Sequence, residues 1–300
     1  MNDFSRLRLT YGITPPKLST LEPRRREIAS VQSARIAGLP IDALIVYDLQ
    51  DESSRTGVER PFPFMQAIDP LEYAYGYLGS LDKPKVVYRS VSSLTAPNLL
   101  AWLGRLRERG GAAVLVGAPS KTQSVSLQLA DAYRLRSAEL PELPLGGVVI
   151  AERHEARGGE DARVLGKLEQ GCSFFISQAV YSVTASKNLL SDLYYRCQDA
   201  GREPPPLLLT LSPCGSRKTL EFMAWLGVSV PRWLQNELLH AKDILAKSIE
   251  LSLQAFSELY AFAREKGIPL GCNVESVSLH KAEIEASVEL VSRISRVMQR

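Results

Sequence analysis

An α/β chain folded as a (β/α)8 barrel, with an extra helical insert before the eighth strand, is what this sequence predicts. Three observations carry the expectation. Short apolar runs alternate with helical stretches along all 300 residues. The runs are continuous, as strands buried on both faces are. Each run is followed by a helix, and the strands number eight, which favours parallel pairing through crossovers and closure into a barrel. An open doubly wound sheet is the competing arrangement, disfavoured because no Gly-x-Gly-x-x-Gly follows the first strand. No linker or composition shift divides the chain, so residues 1–300 read as one domain.

The first strand, Leu7–Thr14, ends at Pro15-Pro16, where the ladder loses its N–H donors. Glu22–Ala37 is helical. Ala43-Leu-Ile-Val-Tyr-Asp48 is a buried strand followed by a polar loop from Gln50 to Val58. A helix over Met65–Leu78 precedes the strand Lys85-Val-Val-Tyr-Arg-Ser-Val91. Thr95 caps a helix that Pro97 opens and Gly110-Gly111 closes. Ala112–Ala118 is the next strand and Val125–Leu135 the next helix. Leu145–Ala151 is the fifth strand, and Glu160–Gln170 the helix after it.

A glycine turn at Gly171 leads into the sixth strand, Cys172–Tyr181, whose polar Ser177 and Gln178 fall near its end. A buried amide there is costly unless its donors and acceptors are matched, so Gln178 reads either as a ligand contact or as a bond to a neighbouring strand end. Ala185–Ala200 is helical, and Pro204-Pro205-Pro206 precedes the seventh strand, Leu207–Ser212. Gly215–Trp225 is helical, followed by an insert of two helices, Pro231–His240 and Ala241–Lys266. Leu270–Ser276 and the helix Lys281–Val297 complete the barrel.

Composition narrows the function. The chain is 45% hydrophobic and 23% charged, with a net charge of +3; that balance gives no footing for nucleic acid as a partner. No apolar run reaches the ~18 residues of a membrane span, and the first ten residues lack an apolar leader, so no membrane partner is expected and the cytoplasm is the expected location. The four cysteines and three histidines are scattered without metal-ligand spacing, and no metal is expected.

In such a barrel, chemistry belongs at the C-terminal strand ends. The polar residues there include Tyr11 and Thr14; Asp48, Asp51 and Glu52; Arg89, Ser90 and Ser92; and Ser120 and Lys121. Beyond them come Glu152, Arg153 and His154; Ser177, Gln178 and Tyr181; Ser212, Arg217 and Lys218; and Asn273, Glu275 and Ser276. The stretch from Ser212 to Lys218 leads from loop to helix and reads as an N-cap or an anion site. An amide, carboxylates, tyrosines and basic residues together suit a flat polar heterocycle with an acidic tail.

The chain resembles the methylenetetrahydrofolate reductases, over nearly its whole length and divergently. The resemblance rests on Pro15-Pro16, on Lys167-Leu-Glu-Gln-Gly-Cys-Ser-Phe-Phe-Ile-Ser-Gln178, on Val230-Pro-Arg-Trp233 and on Gly267. It implies a (β/α)8 barrel that reduces 5,10-methylenetetrahydrofolate to 5-methyltetrahydrofolate, with Gln178 on the pterin and Lys167 near flavin phosphates. Departures are as informative. Where family members carry the acidic glutamate, this chain has Gly12; Val116-Gly117-Ala118 stands for Arg-Gly-Asp; Val46-Tyr47-Asp48 stands for Thr-Tyr-Gly; and Tyr88 replaces a histidine. The acidic loop from Asp51-Glu52 to Arg60-Pro61, the stretch Val116-Gly117-Ala118-Pro119 and the run from Gln178 to Ser182 are similar to the flavin-independent members.

The resemblance therefore implies NAD(P)H as hydride donor and leaves FAD open. Its candidate residues are Glu52 and Glu275 as acids, with Asp51 beside them; Gln178, Tyr181, Tyr47 and Ser276 for the folate; and Lys167, Ser90, Gly117 and Ala118 for the cofactor. Glu275 is adjacent to the first strand in a closed barrel and would project near Gly12; the alternative for it is an ion pair with a strand-end Arg or Lys. Three readings stay open: a reductase, a folate-binding barrel acting in one-carbon transfer with a partner, and a barrel whose ligand is not a folate. A homo-oligomer is compatible with each.

Overall fold

The computed structural model describes residues 3–53, 58–118 and 124–299. Its eight strands are parallel and close in sequence order, from β1 (Leu9–Ile13) through β2 (Ala43–Val46), β3 (Lys85–Ser90), β4 (Ala112–Val116), β5 (Leu145–Val149), β6 (Cys172–Ala179) and β7 (Leu207–Leu211) to β8 (Leu270–Glu275). The β1–β8 pair seals the barrel, with Tyr11 beside Val274 and Gly12 beside Glu275.

Alternation along the strands sorts two cores. Outward residues such as Leu44, Val87, Phe175, Leu209 and Cys272 pack under the helices. Inward residues Ala43, Ile45, Val86, Tyr88, Ala112, Val114, Phe174, Ile176 and Leu208 fill the barrel. A 3-10 turn at Phe4–Arg6 delivers Phe4 and Leu7 to this inner cluster and plugs its N-terminal end.

The helices between and after the strands are α1 (Glu22–Ala37), α2 (Pro70–Glu72), α3 (Ala96–Glu108), α4 (Leu129–Glu139), α5 (Ala151–Arg157), α6 (Glu160–Glu169), α7 (Val183–Asp199), α8 (Arg217–Trp225), α9 (Arg232–His240), α10 (Ile244–Lys266) and α11 (Lys281–Met298). Thr95 caps α3 through the amide of Asn98, as its position before Ala96-Pro97 predicts. Gly171 makes the turn between α6 and β6 at φ +87°, a conformation that only glycine adopts without strain.

Three elements differ from the sequence expectation. The helix expected over Met65–Leu78 is one turn, α2, running into a π-helical turn at Tyr73–Tyr77; Asp69 caps it, and the chain before it pairs with the stretch after β1 through Leu18 N–H to the Gln66 carbonyl and Ile68 N–H to the Pro16 carbonyl. The short helix α5 has no counterpart in the sequence expectation, because its seven residues, five of them polar, carry little periodic signal. The insert is α8 and α9, not α9 and α10. Helix α10 packs between α7 and α11 in the ring, whereas α8 and α9 contribute Leu220, Met223, Leu234 and Leu238 to a separate apolar cluster with Ala179 and Tyr181. That cluster sits over the ends of β6 and β7.

Candidate functional site

A belt of hydrogen bonds crosses the barrel below its C-terminal mouth. Thr10 donates to Asn273 Oδ1 (3.1 Å), and Asn273 Nδ2 donates to Thr210 Oγ1 (3.2 Å) and Tyr47 Oη (2.9 Å). Thr210 in turn donates to the Ser177 carbonyl (2.6 Å). These inward positions on β1, β8, β7 and β6 satisfy one another, which is what makes polar groups affordable inside a barrel.

Glu275 rests above this belt. A side chain at Gly12 would meet Tyr47 Cε2 at 2.7 Å, Tyr47 Oη at 3.1 Å and Glu275 Cβ at 3.2 Å. Gly12 thus leaves room that the Tyr47 ring and the Glu275 stem occupy. Burial pushes the Glu275 carboxyl above the usual carboxylate range, opposed by hydrogen bonds with Tyr47 and Asn273. The ion pair considered for Glu275 is not formed among the described residues; its partners are an amide and a phenol. Tyr88 stands beside Tyr47 with ring centroids 4.7 Å apart and planes at 59°. Burial and the nearby Glu275 charge hold both phenols well above their ordinary pKa, so each stays a neutral O–H.

The mouth contains a second protonatable carboxyl. Glu152, in the first turn of α5 just past β5, has Oε1 buried without a hydrogen-bond partner. Burial pushes its pKa up to about 7.

Gln178 is the penultimate residue of β6 and is partly exposed at the mouth. Its Nε2 donates to the Leu226 carbonyl at the end of α8 (2.9 Å). One end of the amide is therefore anchored by the insert, and the sequence had offered a neighbouring strand end as that partner. Tyr47, Glu275 and Gln178 share the mouth; the other candidates are dispersed. Tyr181 is buried in the cluster beneath α8 and α9, its hydroxyl donating to the Ser212 carbonyl (2.6 Å). Ser276 caps its own turn through the Ser278 carbonyl (2.8 Å). Glu52 lies in the loop after β2, where its charge acts on Arg60. Asp51 is exposed and bonded to Ser53, which lowers its pKa.

Of the cofactor candidates, Ser90 is at the end of β3, its amide donating to Asp48 (2.7 Å) and its hydroxyl 3.3 Å from that of Ser92. Gly117 and Ala118 follow β4, and Gly117 faces Leu129 of α4. Lys167 lies on α6 outside the strands, its ammonium donating to the Val148 carbonyl. Pro119, Ser120 and Lys121 lie outside the described residues. No group of three or more His, Cys, Asp or Glu side chains among the described residues could hold a metal ion. No helix among them is long and apolar enough to cross a membrane.

Asn273, which the sequence offers only as one of the polar strand-end residues, and Tyr88, which it offers only as a histidine's replacement, are mouth residues given no folate or cofactor role there. The period-two alternation of β8 would have tied Asn273 to Glu275, since it places residues 271, 273 and 275 on one face.

No protein-family model matches the chain, and no curated protein does. Among solved structures, an uncharacterized protein from Clostridium thermocellum that binds two copies of 5-methyl-5,6,7,8-tetrahydrofolic acid is 44% identical over 99% of this chain and 97% of its own, with a TM-score of 0.85. The chain belongs to that protein's family. At this identity the similarity extends beyond a shared fold. By contrast, a GH113 β-1,4-mannanase complex (10% identity, 97% of this chain and 99% of that one, TM-score 0.51) and a xylanase–xylotriose complex from Thermoanaerobacterium saccharolyticum (11% identity, the same coverage, TM-score 0.51) share the barrel alone.

Proposed function

We propose that the barrel mouth binds a reduced folate and that the protein is a methylenetetrahydrofolate reductase using NAD(P)H, with Glu275 as the acid. The observation that carries this is the Gly12–Glu275–Tyr47 arrangement. The carboxyl absent from β1 is supplied by the adjacent strand at the paired position. Folate as the ligand is supported by the Clostridium thermocellum relative, which binds 5-methyltetrahydrofolic acid.

Opening a methylene bridge needs a proton on a folate nitrogen, and an ordinary carboxyl is almost fully ionised at neutral pH. Burial keeps a larger fraction of Glu275 protonated. Tyr47 hydrogen-bonds the carboxyl, and Asn273 holds Tyr47 by donating to its oxygen. As Glu275 gives up its proton, the Tyr47 O–H stabilises the carboxylate that forms. Gln178, fixed by Leu226, keeps its carbonyl oxygen for the pterin edge. A bound nicotinamide would supply the hydride. No flavin step is invoked, because Lys167 has its ammonium on a backbone carbonyl outside the strands and Gly117 and Ala118 offer no polar side chain.

The test is anaerobic oxidation of NADH or NADPH by the purified protein with 5,10-methylenetetrahydrofolate, alongside its visible spectrum. Substrate-dependent oxidation without a flavin band is the expected result. A second reading, a folate-binding barrel without reductase activity, is favoured by the relative's binding of the already methylated form. Tight binding of 5-methyltetrahydrofolate with no nicotinamide oxidation would select it.

A further inference from the structure

The pairing of β6 with β7 breaks step at Gln178. Phe175 pairs with Leu207 and Ile176 with Leu208, so unbroken register would set Ser177 against Leu209 and Gln178 against Thr210. Thr210 instead pairs with Ala179. Ser177 and Gln178 together oppose Leu209, which is a β-bulge. The extra residue takes Gln178 out of step with the ladder, and its Nε2 reaches the Leu226 carbonyl at the end of α8 (2.9 Å). Without the bulge, a one-residue slip would redirect that side chain.

A bulge removes ladder partners from buried backbone groups, and each must be satisfied in another way. Two hydroxyls do so here. The Thr210 N–H donates to Ser177 Oγ (2.8 Å), and Thr210 Oγ1 donates to the Ser177 carbonyl (2.6 Å). Ser177 Oγ in turn donates to the Gln178 carbonyl (2.7 Å). Past the bulge, the Val180 N–H donates to the Thr210 carbonyl (2.8 Å). Thr210 therefore grips β6 on both sides of Gln178. Ser177 and Thr210 are only 7% and 1% exposed, so their hydroxyls serve protein groups and act on a ligand through Gln178. Thr210 Oγ1 also accepts from Asn273, the amide that holds Tyr47 beside Glu275. One line of hydrogen bonds thus joins the bulge to the acid.

We propose that Ser177 and Thr210 are positioning residues, whose hydroxyls lock the β6 bulge that aims the Gln178 amide at the ligand. The inference rests on the folate reading above and deepens it by naming what sets its binding amide. Valine has the shape of threonine, and alanine fits wherever serine does. What either would lose is the hydrogen bonding that the bulge requires.

The experiment measures the Kd of 5-methyltetrahydrofolate for the full chain and for Ser177→Ala, Gln178→Ala and the two combined. A crystal structure of free Ser177→Ala accompanies it. Gln178→Ala should raise the Kd about five- to tenfold, as loss of a hydrogen bond does. Ser177→Ala should raise it by a similar factor, and Ser177→Thr, which keeps the hydroxyl, should restore it. Because both changes act through one amide, the losses should not multiply. The double variant should stay within about twofold of Gln178→Ala alone. Multiplied losses would overturn the proposal, as would an unchanged Kd in Ser177→Ala, which is what a merely structural role gives. Should Ser177→Ala fail to fold, Thr210→Val carries both arms from the β7 side. In the crystal, Gln178 Nε2 should leave the Leu226 carbonyl; an intact bulge with that bond in place would overturn the proposal whatever the mouth binds. A wild-type chain that binds no 5-methyltetrahydrofolate would overturn the folate reading instead, and the crystal structure would still decide the bulge.

Discussion

The two ends of this barrel are built from the same alternation of inward residues and are filled in opposite ways. At the N-terminal end Phe4, Leu7, Ala43, Ala112 and Phe174 make an apolar plug. At the mouth the inward positions are Tyr47, Asn273 and Glu275, joined by hydrogen bonds with the Tyr88 ring packed against Tyr47, and holding a carboxyl out of its ordinary pKa range. The difference teaches which residues stabilise and which act. Apolar filling at the floor contributes transfer energy and packing. A buried acid at the mouth costs stability, and a function is what would retain it.

The largest effect on stability should come from the floor. Phe174 is fully buried, and Phe174→Ala should lower the unfolding free energy by about 3–5 kcal/mol in denaturant melts. A loss below about 1 kcal/mol would mean that the plug is not the stabilising end. At the mouth, Glu152→Gln should do the reverse. The folded Glu152 holds its proton to about pH 7, whereas the ordinary value is 4.5. The unfolded chain therefore releases that proton first, and wild-type stability falls relative to the variant as pH rises from 4.5 to about 7. The relative shift reaches up to about 3 kcal/mol and is flat above that window. A difference independent of pH would show that Glu152 is solvated.

Asn273→Ala tests the belt that carries the mouth. It leaves Thr10, Thr210 and Tyr47 without shared partners and should cost about 1–3 kcal/mol, with a rise in the Kd for 5-methyltetrahydrofolate as Tyr47 is released. Tyr181→Phe should be the mildest, about 1 kcal/mol for one buried bond to the Ser212 carbonyl, with folate affinity unchanged because Tyr181 lies beneath the insert. A large loss of affinity in Tyr181→Phe would redraw the boundary between the site and its support.

The barrel was legible because continuous apolar runs, helix caps and proline stops all agree with one topology. So was the nearness of Glu275 to Gly12, since closure makes β8 the neighbour of β1. What Gly12 leaves room for was not legible, because that depends on the Tyr47 ring reaching across from β2. The partner of Gln178 was hidden for a similar reason. Leu226 offers a backbone carbonyl, which no side-chain pattern advertises, and it belongs to an insert whose helices look like ring helices in sequence. Lys167 shows the converse: a motif match places it in the chain, but its position on α6 turns its ammonium to the strand carbonyl outside the barrel.

The central claim is that Glu275 takes the place of the acid absent at Gly12. The direct measurement is the pH dependence of kcat/KM for methylenetetrahydrofolate-dependent NAD(P)H oxidation in the wild type and in Glu275→Gln. The wild-type rate should fall as pH rises through the elevated Glu275 pKa. The variant should lose that limb and about 10²–10⁴ in rate while keeping its Kd for 5-methyltetrahydrofolate. A variant with the wild-type rate and pH profile would contradict the account.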